Sequence, residues 1–163
     1  MDLVTGRASI DDLDAFVAEL QDIGAEHGAT VQGFDARYVV DRAHLERAVA
    51  LADRAIDRGE AIADDRAMEI LCYAAGTRQI EVALEIGLPR GEGPVIVLVD
   101  GGEERAAARA VESLLEPDDR PIGDYDTERV RAFYDVGAAE LGATDAGIPA
   151  LVRERVALLV VER

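Results

Sequence analysis

Five consecutive apolar residues, Val95-Ile-Val-Leu-Val99, constrain the fold most. Side chains alternate across a strand, and here both alternating sets are apolar, so neither face of the segment tolerates water. The run is too short for a helix that would bury itself alone. It is therefore predicted as a central strand covered on both sides. Pro89-Arg-Gly-Glu-Gly-Pro94 reads as the loop before it, and Asp100-Gly101-Gly102 ends it. A glycine pair after a strand suits a phosphate loop, but no dinucleotide fingerprint or Gly-Lys-Ser/Thr ending follows, and Glu103 and Glu104 oppose an anion.

Around this strand the periodicity alternates. Asp2 to Ala8 is predicted as a first strand. Ser9 begins a helix with Asp12 completing a capping box, and Leu13, Phe16, Val17, Leu20 and Ile23 supply its apolar face up to Gly28. Thr30 to Phe34 is a second strand. Asp41 caps a helix running to about Asp57, with Leu45, Val49, Ala52 and Ile56 inward. After Gly102 comes a helix to Leu115, stopped by Pro117; Thr127 caps another that buries Val130, Phe133 and Tyr134. A short helix from Ala150 to Arg155 is followed by Val156 to Val161 as a terminal strand, although Leu151, Val152, Val156 and Leu159 also fit a helical face.

The stretch Met68 to Ile86 reads as two short helices joined at Gly76-Thr77. Asp64 or Asp65 caps the first, and Met68, Leu71, Cys72 and Ala75 give it one buried face. Ile80, Ala83, Leu84 and Leu88 do the same for the second. Thr77 caps that second helix and Arg78 and Gln79 occupy its first turn, beside unpaired N–H groups that favour an anion. Two readings stay open. Arg78 helps hold a phosphate or a partner carboxylate, or it pairs with Glu81 and the bend is only a connector.

Bulk composition narrows the function. Thirty-four acidic residues face seventeen basic ones, all arginine, for a formal net charge of −17. Such a surface repels itself at low salt, and at molar salt the screening length falls to about 3 Å. The charge is read as that of a protein from an organism with very high internal salt. It argues against unaided nucleic-acid binding, because diffuse phosphate contacts weaken steeply with salt. Any such binding needs a local arginine site, stacking, or shape recognition of a nucleotide end; the Arg78 region is a candidate for the first, and no other dense basic patch is legible. With 49% hydrophobic residues, disorder is excluded. The length fits one domain, residues 1–163. No secretory leader and no run of membrane-spanning length is legible, so a cytoplasmic location without membrane contact is expected. One cysteine, Cys72, and two separated histidines, His27 and His44, support neither a disulfide nor a metal centre. No nucleophile turn, metal-binding His pair or kinase Mg²⁺ set is present, so no enzyme and no cofactor is expected.

Four stretches carry a resemblance. They are Tyr73-Ala-Ala-Gly-Thr-Arg-Gln-Ile80, Gln32-Gly-Phe-Asp-Ala-Arg37 with His44-Leu45, Gly123-Asp-Tyr-Asp126 and Glu154-Arg-Val-Ala-Leu-Leu159. Together they resemble the small TPRKB-like subunit of the KEOPS complex, of the kind a halophilic archaeon would carry. The resemblance implies a non-catalytic subunit in the synthesis of threonylcarbamoyladenosine on tRNA. Such a subunit binds and supports the complex's atypical kinase, an ATPase, and helps recruit tRNA by its 3′ CCA end. Carried over, it points to Gly76, Thr77, Arg78 and Gln79 as the tRNA surface, with His44 and Arg37 as lesser candidates. The competing class is a small-ligand α/β protein with a phosphate pocket at the Arg78 helix start.

The fold expected is α/β in the α+β sense: a mixed or antiparallel sheet of about four strands with six to seven helices. Consecutive helices between the second and third strands exclude Rossmann alternation. The charge generates a first test. Circular dichroism should show the secondary structure loosening below about 0.5 M KCl; a melting temperature unchanged from low to molar salt refutes the environmental reading.

Overall fold

A computed structural model describes residues 1–160. The described residues form three strands and eight α-helices, and they divide into two compact units. One unit comprises Met1–Ala36 and Glu85–Pro121, the other Arg37–Leu84 and the chain from Ile122 on.

The first unit holds the sheet. Strands β1 (Asp2–Ile10), β2 (Thr30–Asp35) and β3 (Gly91–Asp100) lie in the order β1-β3-β2, both pairings antiparallel. The sheet is antiparallel and the fold is not Rossmann-like. Val95 to Val99 is the centre of the middle strand, as its apolar pattern requires. On one face Val4, Val31, Val97 and Val99 pack with Leu20 of α1 (Leu13–His27) and with Ala107, Ala108 and Val111 of α5 (Glu104–Glu112). On the other face Phe34, Ile96 and Leu98 are buried as well. The small side chains of α5 let the helix lie close to the strands.

Several boundaries differ from the sequence reading for local reasons. The first strand continues through Ser9 to Ile10, and Asp12 rather than Ser9 caps α1, accepting from the Ala15 N–H at 3.0 Å. The predicted loop at Gly91–Pro94 belongs to β3. Pairing with β2 ends at Val95, so proline enters the strand only where one neighbour remains. Beside β1, residues 115–116 close over the sheet: Arg7 and Glu116 exchange backbone hydrogen bonds of 2.9 and 2.8 Å. Gly6 makes this approach possible, because a Cβ there would stand 2.8 Å from the Glu116 carbonyl oxygen.

The second unit is helical. It contains α2 (Arg42–Asp57), α3 (Arg66–Ala75), α4 (Ile80–Ala83), α6 (Thr127–Phe133), α7 (Ala138–Gly142) and α8 (Gly147–Leu158). Asp41 and Asp65 cap α2 and α3 by accepting the His44 and Met68 N–H groups, each at 2.8 Å. Arg66 grips Asp53 with two bonds of 2.7 and 2.9 Å and ties α3 to α2. Glu69 is fully buried, yet its carboxylate accepts from the Ile62 and Ala63 N–H groups at 2.7–3.0 Å. It thereby fixes the α2–α3 loop from inside.

The last predicted strand is overturned over the described residues. Val156 to Leu158 continue α8, and Leu151, Val152, Val156 and Leu159 are buried on one helical face. The apolar residues satisfied both periods, and the helix wins because this spacing buries four side chains at once. Val161 lies outside the described residues. Among the described residues the sheet therefore has three strands, where about four were expected. Gly6→Ala is expected to destabilise the protein by about 1–3 kcal/mol in urea unfolding, as over-packing against backbone does; an unchanged midpoint would mean that residues 115–116 can move away.

Candidate functional site

The bend at Gly76 begins with the end of a helix. The last carbonyls of α3 lack partners within the helix. Gly76, at φ +67°, turns the chain so that its N–H bonds to the Tyr73 carbonyl at 3.0 Å and the Thr77 N–H to that of Cys72 at 3.2 Å. This is the Schellman arrangement, which selects glycine. The backbone of Arg155 in α8 lies 3.4 Å from where a Cβ on Gly76 would be, an ordinary packing distance, so it is the left-handed φ that selects glycine.

The Ala74 carbonyl remains, and two buried side chains satisfy it. His44 Nε2 and the Tyr134 hydroxyl both donate to it at 2.8 Å. His44 Nδ1 accepts from the Val40 N–H at 3.3 Å, which leaves the ring proton on Nε2. The two rings meet edge to face at 5.9 Å, and Phe133 packs on Tyr134 at 4.9 Å. Burial holds the His44 pKa below the ordinary value and pushes that of Tyr134 up. Arg155 clamps the turn after Tyr134 by donating to the Tyr134 and Asp135 carbonyls at 3.1 Å and pairing with Glu140 at 2.7 Å. That pairing holds the Glu140 carboxyl below its usual range.

On this base the chain from Thr77 to Gln79 is exposed or half-buried, with Arg78 in solvent. The Thr77 Oγ1 accepts from the Gln79 N–H at 3.1 Å and folds the segment on itself. Thr77 is thus not the cap of the next helix. α4 starts at Ile80, its N-cap is Gln79 without a side-chain bond, and it lasts one turn before a 3-10 turn at Leu84–Ile86. Arg78 precedes that helix rather than lying in its first turn. So short a helix offers little dipole to an anion, which removes the main physical support for a phosphate pocket at a helix start. Among the described residues no hydrogen bond or ion pair engages Arg78, and the Glu81 pairing is not made. The apolar stripe of the second helix is also partial: Ala83 is buried while Ile80 and Leu84 are 38% and 53% exposed.

The six candidate residues fall into three places. Gly76, Thr77, Arg78 and Gln79 form one surface bend. His44 lies beneath its base, fully buried. Arg37 sits in a 3-10 turn (Ala36–Tyr38), where its carbonyl accepts from the Asp126 N–H at 2.9 Å. The Gly123–Asp126 stretch thus docks on the Arg37 segment, and the Glu154–Leu159 stretch sends Arg155 to the back of Gly76. No three His, Cys, Asp or Glu side chains among the described residues cluster as metal ligands do. No helix there is long and apolar enough to cross a membrane. A cavity lined by Thr5, Gly6, Ala36 and Pro94 holds about 10 Å³, room for one water and not for a nucleotide.

The sequence reading missed one feature. α2 and its C-cap residue Arg58 place Arg47, Arg54 and Arg58 on one exposed line, contrary to the expectation of no further basic patch. Spacings of seven and four were the available signal.

A protein-family model described as "Kinase binding protein CGI-121" matches residues 17–159 of this chain. No curated protein matches it.

The buried histidine generates a pH prediction. Its folded pKa is lowered, so below about pH 6.5 the unfolded chain takes up a proton that the folded chain resists, and stability falls as pH falls. Urea unfolding in molar KCl should lose stability between pH 7.0 and 5.5 through this group, by at most about 1 kcal/mol. The His44→Gln variant should lack that part of the slope; an equal slope in both proteins contradicts the assignment.

Proposed function

Because the chain belongs to the CGI-121 family of kinase binding proteins, we propose that it is the halophilic form of the small KEOPS subunit, which binds the complex's atypical kinase and presents the Gly76–Gln79 bend to the 3′ CCA end of tRNA. Family membership supports a KEOPS-associated, non-catalytic role, and the match spans most of the chain. The tRNA part rests on one observation: Arg78 stands in solvent on a bend whose base is fixed by buried hydrogen bonds.

A guanidinium is a planar fork suited to phosphate oxygens. The turn that carries it is held in place, so on binding the side chain loses freedom but the backbone loses little. Its contact is short-ranged and directional, so it persists where salt suppresses diffuse attraction. Gln79 and the backbone of Thr77 lie beside it as further polar groups. Gly76 and His44 act by shaping the bend rather than by touching RNA. The kinase contact in such an environment is apolar, since burial of apolar area survives salt. Ile56, Ile80, Leu84 and Leu158 are the large apolar side chains that the described fold leaves in solvent.

The test is binding of intact tRNA and of tRNA lacking its terminal CCA, in molar KCl. Trimming should weaken binding, and Arg78→Ala should weaken binding of intact tRNA by about tenfold or more, the worth of a charge-assisted hydrogen bond. Equal affinity for both RNAs removes the end-recognition claim. Co-purification checks the rest: the chain should carry the kinase with it, and Arg78→Ala should leave that association intact.

A further inference from the structure

Charge on α2 is arranged in a way that the Arg78 bend does not use. At 100° per residue, Arg47, Arg54 and Arg58 fall within about 40° of one another and span about 16 Å of the helix. All three are exposed, and none has an ion pair or hydrogen-bonded side chain among the described residues. In a chain with twice as many acids as arginines, three aligned guanidinia without a carboxylate need a reason. Arg54 and Arg58 are four apart and repel each other. The negative end of the helix offsets this for those two but not for Arg47, two turns back. Ala43 and Ala50 flank Arg47, and Glu46 faces Arg42 at 3.9 Å; Asp57, three residues beyond Arg54, is its neighbour on the helix but forms no ion pair with it among the described residues. Asp53 is taken by Arg66.

Resting on the tRNA reading above, we infer that this row is a second RNA contact, a track for the phosphodiester backbone of the tRNA body. The kind of partner follows from what the row lacks. A protein interface has an apolar centre, and no large apolar side chain lies in this row; Ile56, the exposed one on α2, is on the opposite side of the helix. Phosphates need only the forks. The row spans about 16 Å, so its three forks reach more than one phosphate along a strand. Contacts of this kind position the RNA without reading its sequence. The bend would then hold the end of the molecule and the row would hold its body.

The experiment combines Arg47→Gln, Arg54→Gln and Arg58→Gln in the full chain, with binding measured from 0.5 to 2 M KCl. Glutamine keeps helix propensity, and the sites are exposed, so the melting temperature serves as the folding control. The triple variant should weaken intact and CCA-trimmed tRNA by the same factor, and the slope of log affinity against log salt should shrink by about 2 to 3. Kinase co-purification should be unchanged. Unchanged tRNA binding with a lost kinase would make the row a site for an acidic protein and overturn the inference. Unchanged tRNA and kinase binding would make it a solvated helix face, which overturns it too. A loss confined to intact tRNA would assign the row to the 3′ end and refute a separate track. Trimming without effect, together with the expected slope change, sinks end recognition and leaves the track. No binding of tRNA by the unmodified chain sinks both.

Discussion

One backbone carbonyl organises the helical unit. The Ala74 oxygen, at the end of α3, would be buried without a partner if only the helix supplied its bonds. His44 from α2 and Tyr134 from the turn after α6 both donate to it. An unpaired buried carbonyl costs about as much as several net hydrogen bonds contribute. The three segments are therefore held together by a polar requirement as much as by apolar packing. Arg155 completes the arrangement from α8, clamping the Tyr134 turn with its side chain and closing on Gly76 with its backbone. The exposed bend inherits its geometry from these buried contacts.

That inheritance separates two kinds of residue. In the proposed tRNA role, Arg78 acts by what it presents to solvent. His44 acts by what it holds in place, and its ring is spoken for on both nitrogens. A sequence motif mixes the two kinds without distinction, because both are constrained by the same piece of geometry. Gly76 is a third case, set by its left-handed φ rather than by any ligand.

What was legible in the sequence was local. Asp41, Asp65 and Gly28 acted as helix ends where their short polar or absent side chains predicted it. Val95 to Val99 announced the middle strand because no other element accommodates two dry faces in so few residues. Val156 to Leu158 misled because their apolar pattern fits both periods, and only packing within the helical unit decides between them. Thr77 misled for another reason: its hydroxyl closes a turn onto Gln79, two residues on, rather than capping a helix. Burial of Glu69 and His44 was not legible at all. Each is buried because backbone groups from elsewhere in the chain meet its polar atoms. The arginine line on α2 was legible in its spacings of seven and four along a predicted helix, but the exposure of all three side chains was not.

The thiol of Cys72 lies inside α3, with no measurable exposure, and its pKa is raised to about 11 by burial and the nearby Glu69 carboxylate. At neutral pH it is almost wholly protonated and out of reach of reagents. The protein is thus a silent background for maleimide chemistry. A single cysteine introduced on the outer surface would take a fluorophore or spin label selectively, with the native residue left in place.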